Sequence, residues 1–324
     1  MPRSFETPLG VKDYTPESFR KIETIINGAR SIANQFSYQG IKTPAIEYYQ
    51  TVGLNSQIRE DELIRFTGPL GRMLIIRPDL TTPIARIVAS TYRELDPPFR
   101  FFSYGDVYRN DSEGLIEEKT QVDFELIGEK SLAADGEIIN IAAKIIMNFS
   151  GSDIRITLGH TKIMTILLEE IIPDTQKREE LFRALISLDY VTYRNIVSQL
   201  SVPDESREKL LEILTIKGKL ESILKLESWH SEKEEWRQIF AEIREIQQIL
   251  SDYNLGDQVI FDPSLVGRHK YYTGIIFNIY AQGSPYKIAS GGRYDGLIGS
   301  FGRDLSATGM AVDVVELSKI QTKG

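Results

Sequence analysis

Residues 99–128 read FRFFSYGDVYRNDSEGLIEEKTQVDFELIG. Phe99 to Val107 and Gln121 to Gly128 are aromatic and β-branched runs, the composition of half-buried strands, and the polar stretch between them predicts a long loop joining two antiparallel strands. Gln121 and Glu125 are an even number of residues apart and therefore share one face of the returning strand. Arg109 stands at the end of the outgoing strand, where a guanidinium can fork onto a carboxylate or phosphate or make an ordinary structural ion pair.

Upstream, Ser18 to Phe36 carries apolar residues at three- and four-residue intervals, which predicts an amphipathic helix. IKTPAIEYY and then RMLIIRPDLTTPIARIV read as a strand, a polar loop and a strand turning into a helix, with Thr81, Thr82 and Pro83 at the helix start. Asp79 and Thr81 thus sit together at a strand-to-helix corner. They can hold an ammonium group or simply cap the helix.

Downstream, Asp135 to Asn148 has helical spacing and Asp153 to Leu158 reads as a strand. The span 161–253 turns to charged, helix-forming sequence, and strand-like runs resume at QVIFDPSL, YYTGIIFNIYA and SATGMAVDVVEL. A β-rich fold interrupted by helices predicts an α+β architecture: a core over 1–160 and 254–324 with a helical insertion over 161–253. Tyr271 and Tyr272 are read as opening a strand, which sends them to opposite faces and allows only one into any given pocket. The glycines of GGRYDG permit close backbone approach.

Composition narrows the function classes. The 324-residue chain has no cysteine, which removes disulfides, thiolate metal sites and cysteine nucleophiles. Its three histidines, His160, His230 and His269, lack partners at metal-ligand spacing, so neither a metal nor another cofactor is expected. The start MPRSFETPLGVKDYTPE has no apolar signal-peptide core, and no stretch is long and apolar enough to span a membrane; a cytoplasmic protein is expected. A formal charge of −8 leaves attraction to nucleic acid to a local patch.

Taken in order, PLGVKDYTP, TPAIE, RPDLT, YRND…QVDFE, YYTG, GGRYDGL and ATGMAVDVVEL closely resemble the class II aminoacyl-tRNA synthetase core of the histidyl-tRNA synthetase family. The resemblance covers nearly the whole chain outside the helical insert. It implies an antiparallel sheet flanked by helices, self-association through the motif 1 region around TPAIE, and a histidine pocket. Carried over position by position, Asp79, Thr81, Gln121 and Glu125 match the residues that hold the ammonium group, and Tyr271 and Tyr272 match the pair on the imidazole side. Arg109 matches the retained motif 2 arginine.

The departures point away from catalysis. Where family enzymes read arginine-glycine-leucine-aspartate before the paired tyrosines, this chain has Gly267-Arg268-His269-Lys270, so the arginine is displaced by one residue. Val315-Glu316 replaces the glutamate-arginine pair of motif 3, putting an anion where a cation would clamp ATP. Leu115 to Lys119 replaces the arginine-bearing motif 2 loop, and no anticodon-reading domain is expected after motif 3. The pattern resembles the regulatory-subunit family of ATP phosphoribosyltransferase. It implies a non-catalytic partner of a short catalytic chain in histidine biosynthesis, with free histidine as the inhibiting effector and no tRNA bound. Ordering of Asn110 to Thr120, or of Gly267 to Lys270, is the expected trigger. The competing readings are a divergent synthetase and a free-standing histidine sensor.

Overall fold

The computed structural model describes residues 5–111, 113–151, 153–219, 222–230, 233–269 and 271–320. Its first helix, α1 (Pro16–Gln35), starts where Thr15 accepts a hydrogen bond from the Ser18 amide and Pro16 occupies the first turn. Ile22, Ile25, Ala29, Ile32 and Ala33 form the buried stripe that fixes its orientation. The strands β1 (Gln39–Gly40), β2 (Ile46–Tyr48), β3 (Arg65–Thr67) and β4 (Met73–Ile76) follow, and then α2 (Thr81–Ser90).

The long pair β5 (Phe99–Asn110) and β6 (Ile116–Ile127) leads to α3 (Leu132–Ser150) and β7 (Ile154–His160). Six helices then occupy most of the span to Asp252: α4 (Thr161–Ile171), α5 (Thr175–Ile186), α6 (Tyr190–Ser198), α7 (Asp204–Glu212), α8 (Ile223–His230) and α9 (Glu234–Asp252). The chain returns through β8 (Val259–Phe261), β9 (Ile275–Ala281), β10 (Ala289–Arg293), β11 (Ala307–Asp313) and the short α10 (Val314–Ser318).

Eight strands make one sheet in the order β1-β5-β6-β11-β10-β9-β7-β8, and β2-β4-β3 make a small separate one. Within the large sheet only β1 with β5 and β7 with β8 run parallel. Strand alternation gives the large sheet two unlike faces. On β6, Val122, Phe124 and Leu126 join α1, α3 and the buried side chains of α4 to α9 in one continuous core. Each fully buried side chain of that size contributes about 1.5–3 kcal/mol. Residues 121, 123, 125 and 127 face the other way, where α2 and the segment around Tyr294 build a smaller core with Phe99, Phe101 and Ile127.

The hairpin differs from the sequence expectation. β5 and β6 pair without a break to Asn110 opposite Ile116, so the connection is residues 111–115 rather than a long loop. Asp111 closes it by accepting from the amides of Glu113 and Leu115. The residues read as loop are polar because this end is a ribbon whose side chains pair locally, as Tyr108 does with Glu118 at 2.7 Å; polarity does not oppose a strand that is solvated on both faces.

Candidate functional site

The site lies on the second face of the large sheet, at the row Gln121, Asp123 and Glu125. β11 runs beside that row with Ala311 opposite Asp123 and Gly309 opposite Glu125. A Cβ at Gly309 would overlap the Glu125 carboxylate, so this glycine is what makes room for an acid in the floor. Glu125 is 0% exposed and accepts from Thr81 Oγ1 at 2.6 Å and from the Tyr294 hydroxyl. Burial raises its pKa to about 8, against the pull of those two hydrogen bonds, with the Asp79 charge adding to the rise.

Asp79 joins the floor from the β4-to-α2 corner. Its Oδ1 caps α2 by accepting from the Thr82 amide at 2.6 Å, as the capping reading expects, while Oδ2 is buried with no hydrogen-bond partner among the described residues. Its pKa is raised, chiefly by burial. Arg77, the first residue of that corner, is structural: it donates to Asp106 O at 2.9 Å and Thr43 O at 3.1 Å, in space left by the missing side chain of Gly105.

Asp123 escaped the sequence reading, although the alternation that pairs Gln121 with Glu125 includes it. It is 1% exposed, its Oδ1 has no partner among the described residues, and burial plus the charges of Glu125 and Asp79 hold its pKa well above the ordinary carboxylate range. Asp79, Asp123 and Glu125 thus form a cluster of buried carboxyls whose charges act on one another, with two oxygens unpaired among the described residues. Buried polar atoms are almost always paired, so this cluster is arranged for a hydrogen-bond donor or a cation. Gln121 stands at the hairpin end of the row, about 13 Å along the strand from Glu125 by the strand rise. No group of three His, Cys, Asp or Glu residues suited to a metal ion occurs among the described residues.

The tyrosines depart from expectation in a useful way. β9 begins only at Ile275, so Tyr271 and Tyr272 precede the strand and strand alternation does not separate them. Their rings lie 5.0 Å apart, Tyr271 packs on Tyr294 at 5.6 Å, and burial raises both hydroxyl pKa values, with Glu125 adding to each. Both are therefore close enough to the carboxyl cluster to feel the Glu125 charge.

Cations mark the mouth. Arg109 donates to Pro78 O at 2.7 Å, lies 3.5 Å from His269 Nε2, and makes no ion pair among the described residues. Arg268 pairs with Glu62 at 2.9 Å and Lys119 with Glu117 at 2.8 Å. Lys287, unremarked in the sequence, is an exposed residue whose pKa is lowered to about 8, by desolvation and then by the like charges of Lys119, Arg268 and Arg109. Glu316, at the motif 3 arginine position, accepts from Ser284 at 2.6 Å and pairs with Lys319. Lys270 lies outside the described residues.

Comparison with known proteins gives this geometry a family. The histidyl-tRNA synthetase family model matches residues 10–317. A curated ATP phosphoribosyltransferase regulatory subunit from Halalkalibacterium halodurans is 32% identical over 97% of this chain and 79% of its own length, and one from Bacillus subtilis is 31% identical over 97% and 80%. This chain belongs to the ATP phosphoribosyltransferase regulatory-subunit family. A crystal structure described as an ATP phosphoribosyltransferase regulatory subunit/histidyl-tRNA synthetase from Bacillus halodurans superposes with a TM-score of 0.90 at 32% identity, covering 99% of this chain and 84% of the other. A histidine–tRNA ligase subunit from Alicyclobacillus acidocaldarius, at 24% identity and a TM-score of 0.84, shares the fold. The relatives' names agree with a regulatory, non-catalytic subunit, and the α+β synthetase-like fold is the one expected.

Proposed function

We propose that this regulatory subunit binds free histidine on the carboxylate row and transmits its presence to a short catalytic ATP phosphoribosyltransferase chain as feedback inhibition. The observation that carries the reading is the pair of unpartnered buried oxygens, Asp79 Oδ2 and Asp123 Oδ1, beside Glu125 and close to two tyrosines. An ammonium group supplies the donors and charge that those oxygens lack, with Thr81 as a further polar contact and Gln121 at the far end of the row. Tyr271 and Tyr272 present ring faces and hydroxyls to an imidazole, and Arg109 is placed to receive a carboxylate. Inhibition further requires that histidine bind one state of the complex better than the other.

Self-association is proposed through the small sheet around the motif 1 region. Ile46, Tyr48 and Phe66 lie on one of its faces and are 53%, 43% and 37% exposed, an apolar surface that a second copy would cover. No helix among the described residues is long and apolar enough to cross a membrane; action in the cytoplasm without bound tRNA is part of the proposal. So is the division into a core of 1–160 and 254–324 and an insertion of 161–253.

The test is phosphoribosyltransferase activity of the short catalytic chain with and without this protein, across a histidine titration. Activation by this protein and histidine inhibition weakened by Glu125→Ala are expected. Absence of any effect on activity, or histidine-dependent ATP–pyrophosphate exchange by this protein alone, overturns the reading.

A further inference from the structure

The site already contains an imidazole belonging to the chain itself. His269 lies flat on Tyr271, ring centres 4.8 Å apart with 8° between the planes, and meets Tyr272 edge-on at 6.2 Å. Its Nε2 is 3.5 Å from Arg109 Nη2, the guanidinium that makes no ion pair among the described residues. Burial, then the charges of Arg109, Arg268 and Lys287, hold its pKa well below the ordinary imidazole range, against an opposing pull from the Ser56 backbone. The ring is therefore neutral and able to accept from Arg109.

The segment that carries this ring is lightly held. Among the described residues of 266–271, the one backbone hydrogen bond is accepted by His269 O from the Tyr272 amide at 3.5 Å; firm anchoring resumes with the Thr273 amide on Arg293 O at 2.8 Å. Gly267 lies against the Tyr272 ring, where a side chain would collide, so the segment folds back over the tyrosines. A histidine in this position is not accounted for by the carboxylate row, which it does not touch.

We propose that His269 is a resident stand-in for the imidazole of an incoming ligand, seated on Tyr271 against Arg109, and that the ligand binds by displacing it. This deepens the histidine reading of the same site and rests on it for the identity of the ligand. Displacement makes the chain its own competitor: a slot filled by His269 for nine-tenths of the time weakens apparent ligand affinity about tenfold. Displacement also frees the backbone of Gly267 to His269, so ligand occupancy is converted into movement of the chain outside the pocket.

Calorimetric titration of wild type, His269→Ala and His269→Phe with 4-methylimidazole and, separately, with histidine tests the proposal. 4-Methylimidazole decides it. The alanine variant is expected to bind 4-methylimidazole at least about tenfold more tightly than wild type, while the phenylalanine variant, which keeps the stacked ring, stays closed. Equal binding by wild type and alanine variant, including no binding by either, overturns displacement. Histidine decides the effector reading: a parallel gain in the alanine variant supports both, whereas a variant that takes 4-methylimidazole while histidine binds neither protein leaves the slot standing and sinks histidine as its ligand. His269→Asn provides the vacated slot where the alanine variant does not fold.

Discussion

Neighbouring residues of β6 lead opposite chemical lives. Val122, Phe124 and Leu126 are fully buried among the aliphatic side chains of α1, α3 and the helices after β7. Asp123 and Glu125, on the other face of the same strand, are equally buried, yet burial there raises both pKa values and leaves Asp123 Oδ1 unpaired among the described residues. Burial serves stability on one face and readiness on the other. A buried carboxyl left without a partner costs free energy, so the second face is kept at the expense of the first.

Substitutions on the two faces should separate these roles. Phe124→Ala is expected to cost about 3–5 kcal/mol in denaturant unfolding, with ligand affinity of the folded protein unchanged; a binding loss comparable to Glu125→Ala would erase the contrast. Gly309→Ala drives a Cβ into the Glu125 carboxylate, and overpacking of this kind costs about 1–3 kcal/mol. Unlike Phe124→Ala, it should abolish histidine binding as well.

The faces should also differ in pH response. The folded chain keeps a proton on Glu125 up to about pH 8, while an unfolded carboxylate has released it several units lower. Between those values the native state binds more protons, so stability falls as pH rises, and the raised pKa values of Asp79 and Asp123 act in the same direction. Glu125→Gln should flatten, in part, the decline of melting temperature between about pH 5 and 8; an unchanged slope would remove Glu125 from the account. Smallest of all, Arg268→Ala breaks an ion pair that is 39% exposed on the arginine side, and about 0–1 kcal/mol is the stability loss to be expected in a melt.

Much of this was legible in the sequence, and the failures share a cause. Period-two reasoning placed Gln121 and Glu125 on one face correctly because they lie in a paired strand. Applied to Tyr271 and Tyr272 it failed, because those residues precede β9 and obey no strand alternation. The connection between β5 and β6 reads as too long because polarity counts against pairing in the sequence, whereas cross-strand contacts carry the ladder through those residues. Contacts between distant segments left no local trace: nothing in GGRYDG foretells that the Tyr294 hydroxyl reaches Glu125, or that Gly309 clears its space.

The ion pair of Arg268 with Glu62 reaches beyond stability. Arg268 adjoins the stacked His269, while Glu62 stands three residues before β3 at the edge of the small sheet. The hairpin tip holds the same turn, through Asn110 Nδ2 on Asp61 O at 3.1 Å. The Arg268 segment, the hairpin and the apolar sheet are thereby strung on a single short tether, so under the proposed histidine reading one side-chain contact separates the site from that surface.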